Sequence, residues 1–332
     1  IMAKQGRIFA VIFLALLIPV LLKAPESEAK VYRGKCKSNL TWSYDSKTKT
    51  MVIDCKGDMP DDEQFYDLDM GWRKYYFKTK KVILKKGISS IGAGAFYNFQ
   101  KLEEVVLPEG LRIIKYDAFD GCRKLQFINK PSTLEVIEKD VFWDVKIKSI
   151  SLKNLKKLGS ECFSGAKLQS VDIPAKCKIE DSVFWSCKKL KKVTFEKGVK
   201  RISYGMFRET GIKNIDIPGS VTQIGTYAFA NCQSLKKAII NEGVKKISKD
   251  AFSNTALKEI TIPSTVTKLG KNAFRWESTE KSSLKKVVIR SKNIKKWGTM
   301  VFGATRDDLV IYVPKSKKAE YEKILRSTNG LD

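Results

Sequence analysis

The sequence predicts a right-handed solenoid of about ten short coils with a parallel β-sheet face, a small N-terminal β lead-in and a short C-terminal helix. Three observations predict it. A phenylalanine recurs at Phe96, Phe119, Phe142, Phe163, Phe184, Phe207, Phe229, Phe252, Phe274 and Phe302, at steps of 23, 23, 21, 21, 23, 22, 23, 22 and 28. A fixed period in the twenties marks a stacked-repeat architecture, in which no single unit can bury its own apolar side. Around each phenylalanine stand two further apolar stretches, and the first of them alternates in the manner of a strand with one buried face. Charge and composition agree: 43% of the 332 residues are hydrophobic and 30% charged, which suits a large core and excludes both a disordered chain and a multi-span membrane protein.

The elements follow in order. Residues 1–29 read as a secretory signal, with Lys4 and Arg7 ahead of an unbroken apolar run from Ile8 to Leu22. That run is short for a membrane span, and small Ser27 and Ala29 stand at the spacing of a cleavage site. Cleavage is expected to leave no stable span; the alternative is an uncleaved N-terminal anchor. The leader carries almost none of the formal net charge of +27, so the basicity belongs to the exported part. Residues 30–76 form the lead-in. In it Cys36 and Cys55 flank an apolar strand, a polar turn and a second apolar strand, which suggests a hairpin. A Cys36–Cys55 disulfide is expected for an exported hairpin, the alternative being two free thiols.

Residues 77–313 are the coils. Each has apolar residues at positions one, four and six of a short stretch, as in Leu190, Val193, Phe195 or Ile212, Ile215, Ile217. Proline follows the strand at 108, 174, 218 and 263, where its missing N–H ends a ladder. A second apolar pair precedes each phenylalanine, as Val221 and Ile224, and Gly92, Gly159, Gly225 and Gly270 are expected to supply a tight turn there. The step of 28 holds a polar insertion at 275–283. Residues 314–332 close the chain.

The phrases "IGAGAFYNFQKLEEVVLP" and "IGTYAFANCQSLKKAII" resemble the BspA-like class of leucine-rich repeats, whose unit reads roughly I-G-x-x-A-F-x-x-C-x-x-L-x-x-V-x-I-P. The lead-in and the ending "IYVPKSKKAEYEKIL" are similar to the segments that flank such repeats. Cys162 and Cys177 lie outside the cysteine position of that pattern, and the charge is unusually positive. The resemblance implies a leucine-rich-repeat fold and a secreted or surface-exposed protein used in adhesion and in binding a host or matrix protein or glycan.

The chain has no histidine, which removes the commonest general base and zinc ligand. No serine, lysine or carboxylate stands out from the repeat as an active site would. We therefore expect no enzyme, no catalytic residue, no cofactor and no metal. Cys122, Cys187 and Cys232 each follow their phenylalanine by three residues. They read either as a metal or redox ladder or, the preferred reading, as small buried residues at a tight turn. The acidic stretch 57–72 with Asp58, Asp61, Asp62, Glu63, Asp67 and Asp69 lacks the spacing of a calcium loop and reads first as a solvated lead-in.

Binding residues are expected on the strands. Lys191, Lys213, Lys236, Lys258 and Lys285 occupy position two of five successive strands, with Lys192, Lys237 and Lys286 beside them. Strands about 4.8 Å apart would set the five in a row fit for a linear polyanion, such as an anionic cell-wall polymer (teichoic acid) or a sulfated glycosaminoglycan, or leave them as a solvated lysine surface. Nucleic acid is disfavoured by export and by the lack of interleaved aromatic residues. The outward strand positions vary from coil to coil and include Asp172, Asn214, Asp216 and Glu259 as ligand-facing residues. The expected function is a secreted or cell-surface adhesin-like module that binds through this face. The alternative is electrostatic attachment to the producer's own anionic wall polymer.

Overall fold

The computed structural model describes residues 29–36, 39–62, 70–277, 282–303 and 308–329. The leader, Glu63, Asp67 and Asp69 of the acidic stretch, and residues 278–281 of the polar insertion lie outside the described residues. No helix among the described residues is long and apolar enough to cross a membrane.

Three antiparallel strands open the chain: β1 (Val31–Cys36), β2 (Leu40–Asp45) and β3 (Thr50–Cys55). Leu40, Trp42 and Tyr44 alternate inward along β2, the two-residue period of a half-buried strand. The expected hairpin is β2–β3, and Asp45 makes its turn by accepting the N–H groups of Lys47 (2.7 Å) and Thr48 (3.1 Å). β3 then pairs in parallel with Lys81–Leu84, so the lead-in is the first layer of the coil stack. Its acids fasten it there. Asp58 accepts from the Ser89 hydroxyl (2.6 Å), Asp61 accepts from the Ala93 N–H (2.8 Å), and buried Asp62 pairs with buried Arg73 at 3.3 Å. Arg73 and Trp72 also donate to the carbonyls of Gly94 and Ala95.

The disulfide is not formed. Cys36 and Cys55 are buried thiols, and the register explains why: Cys36 pairs with Leu40 on one side of β2, and Cys55 pairs with the same Leu40 on the other. A whole strand separates them, about 9–10 Å at ordinary strand spacing, beyond the roughly 7 Å limit for bridging. The strand β1, absent from the sequence reading, is what sets them apart.

Each coil runs through a long strand, a turn, a short two-residue strand and a second turn that carries the phenylalanine. The long strands include Ser170–Ile173, Lys192–Phe195, Asn214–Ile217, Lys237–Ile240, Glu259–Ile262 and Lys286–Ile289. The short strands include Arg201–Ile202, Gln223–Ile224, Lys246–Ile247, Lys268–Leu269 and Lys296–Trp297. Coil pairs on coil in parallel along both walls. The ten phenylalanines are all buried and stack face to face as one column, with centroids 5.1–5.9 Å apart. The ring spacing exceeds the strand spacing because offset stacking is the favoured aromatic arrangement.

The glycines serve a different purpose from the expected one. A Cβ on Gly225 would lie 2.6 Å from the carbonyl oxygen of Ile202 in the preceding coil, so the residue permits close approach of two backbones. The left-handed conformation falls instead two residues before each phenylalanine, at Gly94, Asp117, Asp140, Glu161, Ser182, Gly205, Tyr227, Asp250, Asn272 and Met300.

Turn length controls the long-strand wall. After Phe96, Phe119, Phe184 and Phe229 the next strand's first apolar residue comes six positions on, at Leu102, Leu125, Leu190 and Leu235. After Phe142, Phe163, Phe207 and Phe252 it comes five positions on, at Ile147, Leu168, Ile212 and Leu257. The long-strand ladder parts where a five-residue turn follows a six-residue one: after Phe127–Ile128, after Lys192–Phe195 and after Lys237–Ile240. One residue fewer starts the strand early relative to the aromatic column, so its N–H and C=O groups no longer face those of the coil below. Lys146 shows the slip by donating to the Leu125 carbonyl, whereas in a matched coil Gln126 donates to Glu103. Cys122, Cys187 and Cys232 sit only in six-residue turns, and each thiol donates to a phenylalanine carbonyl one coil earlier, Phe96 (3.2 Å), Phe163 (3.0 Å) and Phe207 (3.0 Å). Burial pushes all three thiols up, Cys187 to about 12 and Cys232 to about 11, so they stay protonated donors.

Helix α1 (Lys318–Asn329) covers the last coil. Buried Tyr321 accepts the Ile294 N–H at 3.2 Å and meets Trp297 edge-on at 5.0 Å.

Candidate functional site

The long-strand wall presents alternate side chains outward, and the expected ligand-facing residues are all there. Asp172 and Thr194 stand in register, and Thr194 donates to Asp172. Asn214 is exposed. Asp216 accepts from Asn241 at 2.6 Å. Glu259 pairs with Lys286 in register, at 3.9 Å between charged groups, and Lys286 also reaches over the Tyr312 ring at 5.9 Å.

The lysines of position two are exposed, but they do not form one unbroken row. Lys236 donates its backbone N–H to Lys213, and Lys285 to Lys258, both at 2.8 Å, while Lys191 donates to Gln169 at 3.0 Å. The ladder partings separate Lys191 from Lys213 and Lys236 from Lys258. Two lysine pairs and a single lysine result. Lys192 and Lys237 are exposed beside them, and Lys237 stands in register with Asn214 rather than with a third lysine.

Where the ladder parts between Lys237–Ile240 and Glu259–Ile262, the wall opens into a cleft of about 480 Å³. One side carries Lys237 and Ile239, and the other Glu259, Thr261, Lys286, Val288 and Arg290. Ile239 is 41% exposed and Tyr312, two strands beyond the cleft in the same outward row, 54%. An apolar strip with charges of both signs at its rim is suited to a macromolecular surface, because apolar contact can be desolvated while the rim selects the partner. Lys237, Lys286 and Glu259 are expected on this face from residue order, whereas the cleft, Val288, Arg290 and Tyr312 are not. The signal was present in the alternating 22- and 23-residue steps.

The other sequence candidates have structural work to do. Cys162 is buried in the core, and Cys177 is half-buried where the next coil has Val199, its thiol raised to about 11 by burial. The coil of Cys177 has one residue fewer before its short strand, and a second cleft of about 410 Å³ opens there between Cys177, Ile179 and Val199. Among the described residues no group of His, Cys, Asp or Glu is arranged to hold a metal ion.

A family model described as a BspA type leucine rich repeat region matches in six copies over residues 74–191 and 156–281. No curated protein matches the sequence. Among solved structures, a leucine-rich repeat protein from Eubacterium ventriosum is similar over 86% of this chain and 85% of its own, at 20% identity and a TM-score of 0.59. A leucine-rich repeat protein from Bacteroides ovatus is similar over 84% of this chain and 78% of its own, at 23% identity and a TM-score of 0.58.

Proposed function

Because the chain belongs to the BspA-type leucine-rich repeat family, we propose that it is an exported, surface-exposed binding module, an adhesin-like protein that recognises a host or matrix protein or glycan through its long-strand wall. Contact, not turnover, is its activity. The observation that carries this reading is the cleft between Lys237–Ile240 and Glu259–Ile262, which places Ile239 and Val288 between Lys237, Glu259, Lys286 and Arg290 on the outward face. Asp172, Asn214 and Asp216 extend the same face toward earlier coils.

Turn length makes the cleft testable without touching its lining. Inserting one residue between Phe252 and Leu257 restores a six-residue turn after a six-residue turn, the arrangement in which Glu104–Val106 pairs with Phe127–Ile128. The insertion should close the parting and abolish capture by a matrix-protein and glycan array of the full chain, as should Ile239→Asp with Lys286→Glu. Capture that survives both changes refutes the reading.

A second reading is attachment to an anionic wall polymer through Lys191, Lys213, Lys236, Lys258 and Lys285. The exposed pairs Lys213–Lys236 and Lys258–Lys285 favour it. Release of the protein from producing cells by moderate salt supports attachment, and array binding that persists at physiological salt supports adhesion.

A further inference from the structure

The short-strand wall changes character halfway along the solenoid. In the earlier coils acids stand among its cations. Arg112 and Lys156 both lie 2.9 Å from Glu135, and Lys157 and Lys178 lie 3.3 and 3.4 Å from Glu180. The neighbouring cations hold both carboxyls below the usual carboxylate range, although partial burial of Glu180 works the other way. In the later coils no such acid remains. Arg201, Gln223, Lys246, Lys268 and Lys296 stand in direct parallel register, and Lys200, Lys245 and Lys295 precede three of them. All these cations are exposed, and among the described residues none has a carboxylate within ion-pair distance.

That arrangement works against the isolated chain. Lysines on adjacent strands about 4.8 Å apart repel by nearly 1 kcal/mol per pair in bulk water, less as the side chains splay. The earlier coils relieve the same geometry with Glu135 and Glu180, whereas the later coils leave it for something outside the chain to relieve. Four ladder steps span roughly 19 Å, and the wall supplies up to two cations per coil along that line. The cleft of about 410 Å³ touches only Lys200 and Arg201 at the start of this line, and among the described residues of these strands no large apolar side chain is exposed for insertion into a bilayer.

We propose that the short-strand wall from Lys200 to Lys296 is a binding track for a flexible linear polyanion, laid along the solenoid axis with its charges against successive coils. The shared chemistry is a chain of sulfate or phosphodiester groups. This track is separate from the long-strand wall, so it stands or falls independently of the cleft and of the lysines at position two.

The test uses the full chain with two labelled probes, heparin and linear polyphosphate, titrated at several salt concentrations. One variant set carries Arg201→Gln, Lys246→Gln, Lys268→Gln and Lys296→Gln. The other carries Lys191→Gln, Lys213→Gln, Lys236→Gln, Lys258→Gln and Lys285→Gln. Each lost contact should lower the slope of log affinity against log salt by about 0.7, so the short-strand set should lose about 3 and the long-strand set less than about 1. Binding of both probes, or of one alone, supports the track and tells sulfated from phosphodiester chains. An unchanged slope in the short-strand set, equal losses in both sets, or binding to phosphatidylserine vesicles with neither polymer bound overturns it. If circular dichroism shows the fourfold variant misfolded, Lys246→Gln and Lys268→Gln singly should each still lower the slope by about 0.7.

Discussion

Asp120 offers a perturbation that separates charge from packing. Its carboxyl is pushed up from 3.8 to about 6, first by burial and then by Asp117 and Asp140, against smaller opposing effects of the Gly121 N–H and Arg123. Burial likewise raises Asp117 and Glu161, with Asp140 adding to each. The cause is the stack itself, which sets Asp117, Asp140 and Glu161 at the same left-handed turn position of successive coils. A group whose pKa is higher folded than unfolded contributes stability that is complete below its unfolded value and is lost as pH rises through its folded value. For Asp120 that window runs from about pH 4 to about pH 6. A shift near two units corresponds to about 3 kcal/mol, and because the side chain is only half-buried, solvent screening reduces this to about 1–2 kcal/mol. Asp120→Asn should therefore stabilise the protein by about 1–2 kcal/mol at pH 7 and by nearly nothing at pH 4. Urea midpoints of parent and variant across that range measure the difference. A difference that stays constant with pH would show that the carboxyl is not strained by its neighbours and would refute the argument.

Other expectations follow from the packing. Phe207→Ala removes a fully buried ring stacked on neighbours at 5.7 and 5.4 Å, and should cost about 3–5 kcal/mol by denaturant unfolding. Asp62→Ala removes the carboxylate 3.3 Å from the buried Arg73 guanidinium and should destabilise the protein by about 3–5 kcal/mol at most, whereas Asp62→Leu with Arg73→Met should recover most of that, because a buried ion pair rarely outperforms apolar packing. Alkylation of denatured protein without reductant should label all seven cysteines, and a mass two labels short would restore the Cys36–Cys55 bridge. In the native protein Cys177 should react first, since the six others are buried.

Much of the fold is legible from residue order because a repeat states its own constraint many times. The ten-phenylalanine column and the outward strand positions follow from periodicity, for no coil can bury two apolar stretches alone, whereas the closing helix is expected from the likeness of the ending to the segments that flank such repeats. The lysines at position two were also legible, but their grouping was not. A row that looks continuous in an alignment is cut wherever a five-residue turn follows a six-residue one, since hydrogen-bond register depends on both neighbours at once. The short-strand charges illustrate the same limit: Lys246, Lys268 and Lys296 are unremarkable in a lysine-rich sequence until the ladder places them side by side.

Residue order by itself determined that this chain stacks, which side chains point inward, and that its surface is basic, because those depend on spacing within one coil and on composition. Only the tertiary structure decided that Cys36 and Cys55 stay apart, that the long-strand wall opens beside Ile239, and that the short-strand cations from Lys200 to Lys296 stand together with no described acid within ion-pair distance. Each of these depends on distances between residues of different coils or strands, which arise only when one layer settles on the next.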